Sequence, residues 1–562
     1  MAAMTGNTIL AQILAQARAT HFFHVPVIVP EAVKAMAGLG ILPVVAHSEK
    51  AAAYMADGYA RVARRPGFCG CQAIGATNLA SGLRDALMAG IPVVALTGGS
   101  SPRTRYRQPY QEIDDMPVYE ALTKFNALVE EADRLQDLLF TAIRYATTGT
   151  PGPVHLELDG FTGQVLAEVG RGGGVLDQRF FAIPAVRSGA AEEDIQCALE
   201  NLARASRPII VAGGGVRLSG AEEELCELAR RFAIPVATSL SAKGCIVERD
   251  PLSVGVVGEY SRTCANKAVY EADLVFFVGS RTGGLVTRGW SVPPETTRAI
   301  HLDINPENIG RNYLNTVPLC GDARTVLRQM CAAAGSQPAR EAWLARVAAL
   351  KSDWRREVED RMSSRASPIR PERLAWELSR ALPENAIAVG DTGHSSAWFA
   401  QFLEARERGQ TFLRCHGSLG WSFPAALGAQ CADPTRPVVC FVGDGGFYYH
   451  VAELETALRY GINVVTVVND NSGFSQEQNL WPAGTGLERN WRFGQTDFAA
   501  VAQAMGCVGQ RVTEPSELEP ALRAAFAADR PVVLDVITDP SVLADTGWGP
   551  EGQPALFSSG HA

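Results

Sequence analysis

PVVCFVGDGGFYYHVAELETALRYGINVVTVVNDNSGFS, residues 437–475, places two apolar runs on either side of an amphipathic one. The pattern predicts a buried strand that ends near Gly443, a helix that ends at the cap glycine Gly461, and a second buried strand. Because such crossovers are right-handed, both strands end at one edge of the sheet. We therefore expect Asp444 and Asn471 to lie side by side at that edge, where open α/β sheets bind ligands.

The residue types at this edge suit a cation and a diphosphate. A carboxylate, an amide oxygen and a nearby backbone carbonyl are hard oxygen ligands, which Mg²⁺ or Ca²⁺ prefers and zinc does not. Glycines beside Asp444 let the backbone approach phosphate oxygens closely. Each half of the pattern alone is better explained as an Asp-Gly turn or an Asn-rich loop between ordinary strands. Together, in the order strand, helix and strand, the two halves predict a metal-bridged diphosphate site.

The rest of the chain repeats this alternation. Its 562 residues are enough for three or four domains at roughly 150 residues each. Apolar strands, glycine-rich turns and amphipathic helices alternate, which predicts an α/β protein with three doubly wound parallel-sheet domains. Two linkers are expected, at residues 163–178 and 363–372. The expected units are a first domain at 1–165, a central domain at 185–340, a third domain at 365–540 and a C-terminal tail at 541–562.

Composition narrows the class of protein. A hydrophobic fraction of 47% and a charged fraction of 20% indicate a globular chain and argue against disorder. The net charge is -9 and no basic stripe stands out, so we expect no nucleic-acid partner. No apolar run approaches the ~18 residues of a membrane span, and the N-terminus does not resemble a signal peptide. The 12 cysteines lack a framework spacing, so we expect reduced thiols in a cytoplasmic protein.

The Gly-Asp-Gly run at residues 443–445, followed by the Asn-rich loop, resembles the thiamine diphosphate (ThDP) motif. From about Thr5 to Asp539 the chain is similar to the large subunit of acetolactate synthase and to its decarboxylase and carboligase relatives. The resemblance implies a pyrimidine-binding, a central and a diphosphate-binding domain in that order, with ThDP and Mg²⁺ as cofactors. It also implies a homodimer or homotetramer, because the family's first domain meets the third domain of a partner chain.

The resemblance also implies which third-domain residues hold the cofactor. The implied metal ligands are the side chains of Asp444 and Asn471 and the backbone carbonyl of Gly473. The other implied cofactor contacts are Gly443, Gly445, Gly446 and Phe474 around the motif, Gly393, His394 and Ser395 in the loop GDTGHSSAW, and Leu419, which would prop the cofactor into its bent shape. By position alone, His394 could equally cap a helix and Leu419 could belong to the core.

In the first domain, residues 43–67 read PVVAHSEKAAAYMADGYARVARRPG and predict a strand, a turn and a helix. Ser48 suits the helix N-cap, and Glu49 suits the first turn, where the helix dipole favours an acid. The segment also resembles the family's glutamate helix, which implies that Glu49 is catalytic and activates the cofactor through its aminopyrimidine ring. Two details depart from the family. Ser48 separates His47 from Glu49, and residues 72–78, QAIGATN, lack the family's proline.

Two further catalytic candidates are expected near the reacting centre. The stretch YQEIDDM resembles a family segment that places Gln111 there as a hydrogen-bond donor. His416, close to Leu419, is either a proton relay, since an imidazole titrates near neutrality, or a packing histidine. Residues 275–290 of the central domain lack the acidic pair and the arginine that lie near the flavin in acetolactate synthase, which makes FAD doubtful.

The resemblance implies a carboligase that decarboxylates a 2-oxo acid such as pyruvate and transfers the acyl-anion equivalent to an aldehyde or ketone. Gln476 and Leu480 stand where acetolactate synthase has a methionine and a tryptophan, and Val27 and Ile28 suggest an apolar wall, so the substrates stay open. The alternatives on the same cofactor are a C–C lyase or hydrolase and a simple decarboxylase, similar to benzaldehyde lyase, 2-hydroxyacyl-CoA lyase or benzoylformate decarboxylase. A flavin oxidase is a further alternative. An inactive paralogue is disfavoured because the activating and metal-binding acids are both present.

Overall fold

Three six-stranded sheets form the framework of the chain, which confirms the predicted α/β class. This computed structural model describes residues 2–335, 338–481 and 484–553. Within each of the three sheets, neighbouring strands run parallel, and the side chains of the central strands are buried, as sheets covered by helices require. Among the described residues, no helix is both long and apolar enough to cross a bilayer.

The first domain alternates short strands with helices. Its strands are β1 (Ala2–Thr5), β2 (His21–His24), β3 (Leu42–Val45), β4 (Gly67–Cys71), β5 (Val93–Gly98), β6 (Asn126–Val129), β7 (Val154–Leu158) and β8 (Val169–Gly172). Its helices are α1 (Gly6–Gln16), α2 (Pro30–Gly38), α3 (Glu49–Ala63), α4 (Ala76–Ala89), α5 (Met116–Glu120) and α6 (Leu135–Thr147). The sheet order is β3-β2-β4-β5-β7-β6.

The central domain uses a different order. Its strands are β9 (Pro208–Ala212), β10 (Val236–Thr238), β11 (Ser253–Val256), β12 (Leu274–Val278), β13 (Arg298–Asp303) and β14 (Thr316–Cys320). Its helices are α7 (Glu192–Arg204), α8 (Gly214–Ser219), α9 (Glu222–Arg231), α10 (Thr263–Glu271), α11 (Gly284–Thr287) and α12 (Ala323–Ala333), and α13 (Glu341–Met362) follows them. The sheet order is β11-β10-β9-β12-β13-β14, which reverses direction between β9 and β12.

The third domain repeats the strand order of the first. Its strands are β15 (Ile387–Gly390), β16 (Thr411–Arg414), β17 (Val438–Gly443), β18 (Val464–Asp470), β19 (Val508–Val512) and β20 (Val532–Ile537). Its helices are α14 (Pro371–Ala381), α15 (His394–Gln401), α16 (Ser422–Ala432), α17 (Asp444–Tyr448), α18 (Glu453–Tyr460), α19 (Phe498–Ala504) and α20 (Leu518–Ala527). The sheet order is β16-β15-β17-β18-β20-β19.

Two stretches differ from the expected connections. The supposed linker 163–178 contains β8, which pairs antiparallel with β1 at the other end of the first domain. The described part of the C-terminal tail, residues 541–553, packs against the central domain. The N–H of Gly547 donates to the carbonyl of Glu259 (2.6 Å), and Asn266 donates to the carbonyl of Trp548 (2.7 Å). Residues 554–562 of the tail lie outside the described residues.

Helices α3 and α16 join the first domain to the third at very close range. A Cβ on Gly58 of α3 would collide with the carbonyl of Ala425, and a Cβ on Gly428 of α16 would collide with the carbonyl of Met55. Glycine permits this approach because it has no side chain. The contact fixes the two domains against each other, and with them the loops at their sheet edges.

Candidate active site

The predicted metal edge lies where β17 and β18 end side by side. The carboxylate of Asp444 is buried there, with only 2% of its surface exposed. It accepts hydrogen bonds from the backbone N–H of Gly445 (2.7 Å) and of Gly473 (2.8 Å). Asp444 therefore contacts the loop that carries Asn471, and the two strands bring together residues that are far apart in sequence.

The electrostatics of this edge favour a cation. Burial and the neighbouring carboxylate of Asp470 raise the pKa of Asp444 well above its usual range. Oδ2 of Asp470 is buried without a hydrogen-bond partner among the described residues. Asn471 donates from its amide nitrogen to Ser475 (2.9 Å), which leaves the amide oxygen as an acceptor. No cluster of three or more His, Cys, Asp or Glu side chains in the described ranges could hold a metal, so a cation here needs amide and carbonyl oxygens as well.

Three glycines around the motif lie where a side chain would be crowded or where the backbone conformation requires glycine. A Cβ on Gly443 would lie 3.0 Å from the hydroxyl of Ser395, and a Cβ on Gly445 would collide with the ring of Phe474. Gly393, at the N-cap of α15, has φ 68° and ψ -153°, a backbone conformation open essentially to glycine alone. The first turn of α15 therefore meets the glycine motif, and the N–H groups at the start of a helix, which have no acceptor within the helix, suit phosphate oxygens.

Asp391, which the sequence analysis did not single out, ties these loops together. It follows β15 and accepts hydrogen bonds from the N–H of Gly420 (3.1 Å) and from the N–H and hydroxyl of Ser422 (3.0 and 2.6 Å). Its carboxylate would lie 3.3 Å from a Cβ on Gly446. These bonds hold the turn that presents the half-buried Leu419. The sequence does carry a signal for this residue, because in the run IAVGD an acid directly follows an apolar strand.

His394 is the first residue of α15 and is almost fully buried. It does not cap the helix, because Gly393 takes the N-cap position and no side chain caps it. Burial lowers the pKa of His394 to about 4, so the imidazole is neutral near pH 7. Its Nδ1 is buried with no hydrogen-bond partner in the part of the chain that the structure describes, and it is thus available to a bound ligand.

His416 links three domains. Its backbone N–H donates to Asp85 of the first domain (2.8 Å), and its Nε2 lies 3.2 Å from the hydroxyl of Ser241 in the central domain. Burial and the guanidinium groups of Arg414 and Arg61 hold the pKa of His416 well below its ordinary value. These contacts favour the packing alternative, in which His416 holds the loop before α16, and its role as a proton relay stays a prediction.

Glu49 begins α3 at the matching edge of the first domain. Ser48 caps the helix, as expected, by accepting a hydrogen bond from the N–H of Ala51 (3.1 Å). The Glu49 carboxylate lies directly against Gly75, where a Cβ would collide with it. Asn78 approaches the same carboxylate with its amide nitrogen at 3.4 Å. The loop at residues 72–78, which lacks the family's proline, therefore still contacts the glutamate.

Gln111 joins this cluster from a neighbouring loop. Its side-chain oxygen accepts a hydrogen bond from the N–H of Ile74 (3.2 Å), next to the glycine that contacts Glu49. Its backbone has a φ of 64°, a left-handed conformation that non-glycine residues seldom adopt. The carboxylate of Glu112 fixes the loop by accepting from the N–H of Tyr106 (2.6 Å). The structure therefore brings Glu49 and Gln111 together around residues 74–75.

Known proteins resemble this chain along most of its length. The family models for the thiamine pyrophosphate enzyme N-terminal TPP binding domain, central domain and C-terminal TPP binding domain match residues 4–118, 195–330 and 391–536. A probable acetolactate synthase large subunit of Methanocaldococcus jannaschii is 34% identical over 89% of this chain and 86% of its own length. The acetolactate synthase isozyme 2 large subunit of Escherichia coli is 30% identical over 89% of each chain. The chain belongs to the acetolactate synthase family.

Membership in the acetolactate synthase family confirms the expected enzyme class. The chain is a ThDP-dependent enzyme of acetolactate synthase type, with two TPP binding domains around a central one. The edges described above belong to the two domains whose models are named for cofactor binding. The central domain reaches the third-domain edge through the side chain of Tyr260.

Tyr260 of the central domain is a neighbour of the metal loop that sequence reasoning missed. Its hydroxyl donates to the side-chain oxygen of Gln476 (3.2 Å), three residues after the implied carbonyl ligand Gly473. A Cβ on Gly393 would also lie 3.7 Å from that oxygen. The polar pair stands at about the position where the sequence analysis expected a methionine in acetolactate synthase. No local pattern could reveal it, since the two residues come from different domains.

Proposed function

We propose that this enzyme decarboxylates a 2-oxo acid such as pyruvate and transfers the acyl-anion equivalent to a second carbonyl compound, with ThDP and Mg²⁺ as cofactors. The observation that carries the proposal is the buried Asp444 carboxylate held 2.8 Å from the N–H of Gly473, beside Asn471. The names of its relatives, acetolactate synthase large subunits, support the same reaction class. The 12 free thiols fit a reducing compartment, and we place the enzyme in the cytoplasm.

The third domain would hold the cofactor's diphosphate and cation. Asp444, Asn471 and the carbonyl of Gly473 would ligate Mg²⁺. The diphosphate contacts would come from the bare backbone and short side chains that meet there, namely Gly393, His394, Ser395, Gly443, Gly445 and Gly446, with Phe474 packed behind them. Leu419 would support the bent cofactor. When bound, ThDP supplies a carbanion that attacks the substrate carbonyl and an electron sink for the loss of CO₂.

The first domain would supply proton transfer and orientation. The Glu49 carboxylate would share a proton with the aminopyrimidine ring, and its place against Gly75 fixes its position. Gln111 uses its side-chain oxygen to accept from Ile74, so its amide nitrogen is the group that can donate to a reacting oxygen. Asn78 would orient Glu49 from the other side.

We further propose that two copies of the chain complete each site. Apolar side chains stand exposed beside the catalytic glutamate, with Ile74 at 60% and Tyr110 at 76% of their full exposure. Beside the metal loop, Tyr448 is 40% exposed and Leu480 is 50% exposed. Apolar groups concentrated at two edges of a domain pair are typical of surfaces that another chain covers. A homodimer, or a tetramer built from two of them, would join a first-domain edge to a third-domain edge.

Product NMR tests the proposal. The protein loaded with ThDP and Mg²⁺ is incubated with pyruvate, with and without an added aldehyde. We expect acetolactate, acetoin or a mixed hydroxy ketone, and no product from Glu49→Gln. Cleavage of an added hydroxy ketone without any synthesis of one would instead favour the C–C lyase alternative. Absence of ThDP binding in the presence of Mg²⁺ would contradict the proposal outright.

A further inference from the structure

A cavity of about 530 Å³ lies where the central domain meets the third, and one end of it reaches the proposed active site. Thr392, directly before Gly393 in the proposed diphosphate loop, lines that end. Tyr260 of the central domain lines it as well, and its hydroxyl donates to Gln476 (3.2 Å). Gln476 lies three residues after the proposed metal ligand Gly473. This end of the cavity is therefore a place where a substrate can lie next to the cofactor.

A buried cationic side chain lines the same end. Arg414, the last residue of β16, has only 6% of its surface exposed. Its Nε donates to the carbonyl of Cys415, and its two terminal nitrogens have no hydrogen-bond partner among the described residues. No carboxylate in that part of the chain lies within ion-pair distance of this guanidinium. A buried guanidinium without an anion is costly, so the position favours an anionic ligand.

The acids around Arg414 do not neutralise it. Burial lowers the pKa of Arg414, and Asp85 is the carboxylate that opposes this decrease. Asp85, however, already forms an ion pair with Arg61 (3.4 Å). Burial and the carboxylate of Glu259 raise the pKa of Tyr260, and the charge of Arg414 acts in the opposite direction. Arg414 and Tyr260 are therefore close enough in space to contact one ligand.

The walls beside this cation are apolar. Leu240 and Leu285 line the cavity and pack in one cluster with Tyr260, and Val286 lines the cavity as well. Such walls suit an alkyl or aryl group. The two terminal nitrogens of a guanidinium match the two oxygens of a carboxylate. The ligand that fits this end thus combines a carboxylate with an apolar group.

Of the two substrates, the acceptor is the one that such an arginine favours. The donor loses its carboxylate as CO₂. An ion pair would stabilise the donor more before decarboxylation than in the transition state, and it would slow that step. The acceptor keeps its carboxylate throughout, so an ion pair holds its keto carbon in place without opposing the reaction.

We propose that Arg414 selects the acceptor by binding its carboxylate, so that the enzyme prefers a 2-oxo acid with an apolar side chain to a neutral aldehyde. The inference rests on the proposed function, because it concerns the second substrate of the same reaction. After CO₂ has left the donor, the electron pair of the broken bond forms a new C–C bond from the acyl carbon to the keto carbon of the acceptor. The C=O electron pair moves onto the acceptor oxygen, which takes up a proton, and the acceptor carboxylate is unchanged.

Competition between acceptors tests this inference. Enzyme loaded with ThDP and Mg²⁺ receives pyruvate, as donor and as charged acceptor, with an equal concentration of propanal as neutral acceptor. NMR gives the ratio of acetolactate to the hydroxy ketone formed from propanal, which does not depend on how much enzyme is active. We expect acetolactate to predominate. Arg414→Gln should lower the ratio by about tenfold or more, since a charged hydrogen bond is lost. Arg414→Lys should keep part of the preference, and Arg523→Gln, on the exposed face of α20, is the matched control.

Product binding gives a second test that needs no turnover. The ThDP- and Mg²⁺-loaded Glu49→Gln protein is titrated calorimetrically with acetolactate and with acetoin, which has a hydrogen in place of the carboxylate. We expect acetolactate to bind about tenfold or more tightly, and an added Arg414→Gln substitution to remove the difference. If the buried position makes every Arg414 variant misfold, the difference between the two products on the unchanged Arg414 decides the test.

The outcomes separate this inference from the proposed function. Equal binding of acetolactate and acetoin, or a product ratio that Arg414→Gln leaves unchanged, would overturn the inference. A lack of any product in the competition experiment, together with tighter binding of acetolactate that depends on Arg414, would count only against the proposed function.

Discussion

The first and third domains share one strand order but carry different chemistry at the same edge. Helix α3 follows β3 and helix α16 follows β16, the equivalent strands of the two sheets, and these two helices pack against each other. After the next pair of equivalent strands, the third domain places Asp444, while the first places the turn that contacts Glu49. The shared topology therefore determines where on each domain a ligand can bind. The side chains at each edge determine which part of that ligand the domain contacts.

Glu49→Gln is expected to have the largest effect and tests whether the two edges have separate roles. If the first-domain edge serves proton transfer alone, kcat should fall by about 10²–10⁴-fold, the usual size of an acid–base contribution. ThDP affinity, measured by fluorescence titration in Mg²⁺, should change only a few-fold, because the proposed diphosphate contacts lie in the other domain. Glu120→Gln, at an exposed position of the same domain, is the control. A loss of ThDP binding equal to the loss of rate would contradict the division of labour.

Asp444→Asn tests the other edge. It should weaken Mg²⁺ binding by about 10–100-fold, by analogy with the loss of groups around metal sites. Excess Mg²⁺ should restore much of the activity, which it should not do for Glu49→Gln. Isothermal titration with Mg²⁺ at fixed ThDP measures the change, and Asp360→Asn on the exposed face of α13 is the control. Activity that is lost without any change in metal affinity would remove Asp444 from the metal site.

The sequence alone was enough to predict that residues within one supersecondary unit lie close together. Asp444 and Asn471 could be paired because a single strand–helix–strand unit places them at one edge. Asp391 was missed although its strand was visible, since its partners lie in a loop some thirty residues later, at 420–422. The pair Tyr260–Gln476 depends on contact between domains, which no local periodicity encodes.

The glycine-rich stretch 163–178 shows the same limit in the fold. It was expected to be a linker because glycine and irregular spacing are typical of connections. Its short strand β8 is stabilised by β1, which lies at the far end of the domain sequence. A short strand in a two-stranded sheet has little hydrophobic pattern of its own, so its structure depends on the strand with which it pairs.

A smaller effect is expected where the two domains meet. Gly58→Ala adds a methyl group where the Ala425 carbonyl leaves no room, and overpacking of this kind typically costs about 1–3 kcal/mol. The melting temperature of the ThDP-loaded protein should fall by about 1–3 °C, because a given loss of stability shifts the melting temperature less in a longer chain. Gly38→Ala is the matched control, since nothing lies within 4 Å of its added Cβ. An unchanged melting temperature in Gly58→Ala would mean that the two helices can move apart at Ala425 at little cost.

The smallest effect concerns a pair of buried acids at equivalent positions, Glu157 beside Thr97 and Asp535 beside Val468. Burial raises the pKa of Glu157 to about 7, and burial with the carboxylate of Asp470 raises the pKa of Asp535 to about 7. Each folded acid keeps a proton that the unfolded chain loses above its ordinary pKa near 4. The contribution of these two acids to stability is therefore greatest at low pH and falls as pH rises toward 7.

Glu157→Gln should remove one of these two contributions. The amide has no proton to lose, so between pH 4 and 7 the unfolding free energy of the variant should rise relative to the parent's by about 1–2 kcal/mol. Denaturant unfolding at several pH values measures the slope. Mg²⁺ and ThDP should flatten the contribution of Asp535, since a cation near Asp470 offsets the repulsion, and should leave that of Glu157 unchanged. If Mg²⁺ and ThDP changed the contribution of Glu157 as much as that of Asp535, the two edges would not differ electrostatically in the way that their side chains indicate.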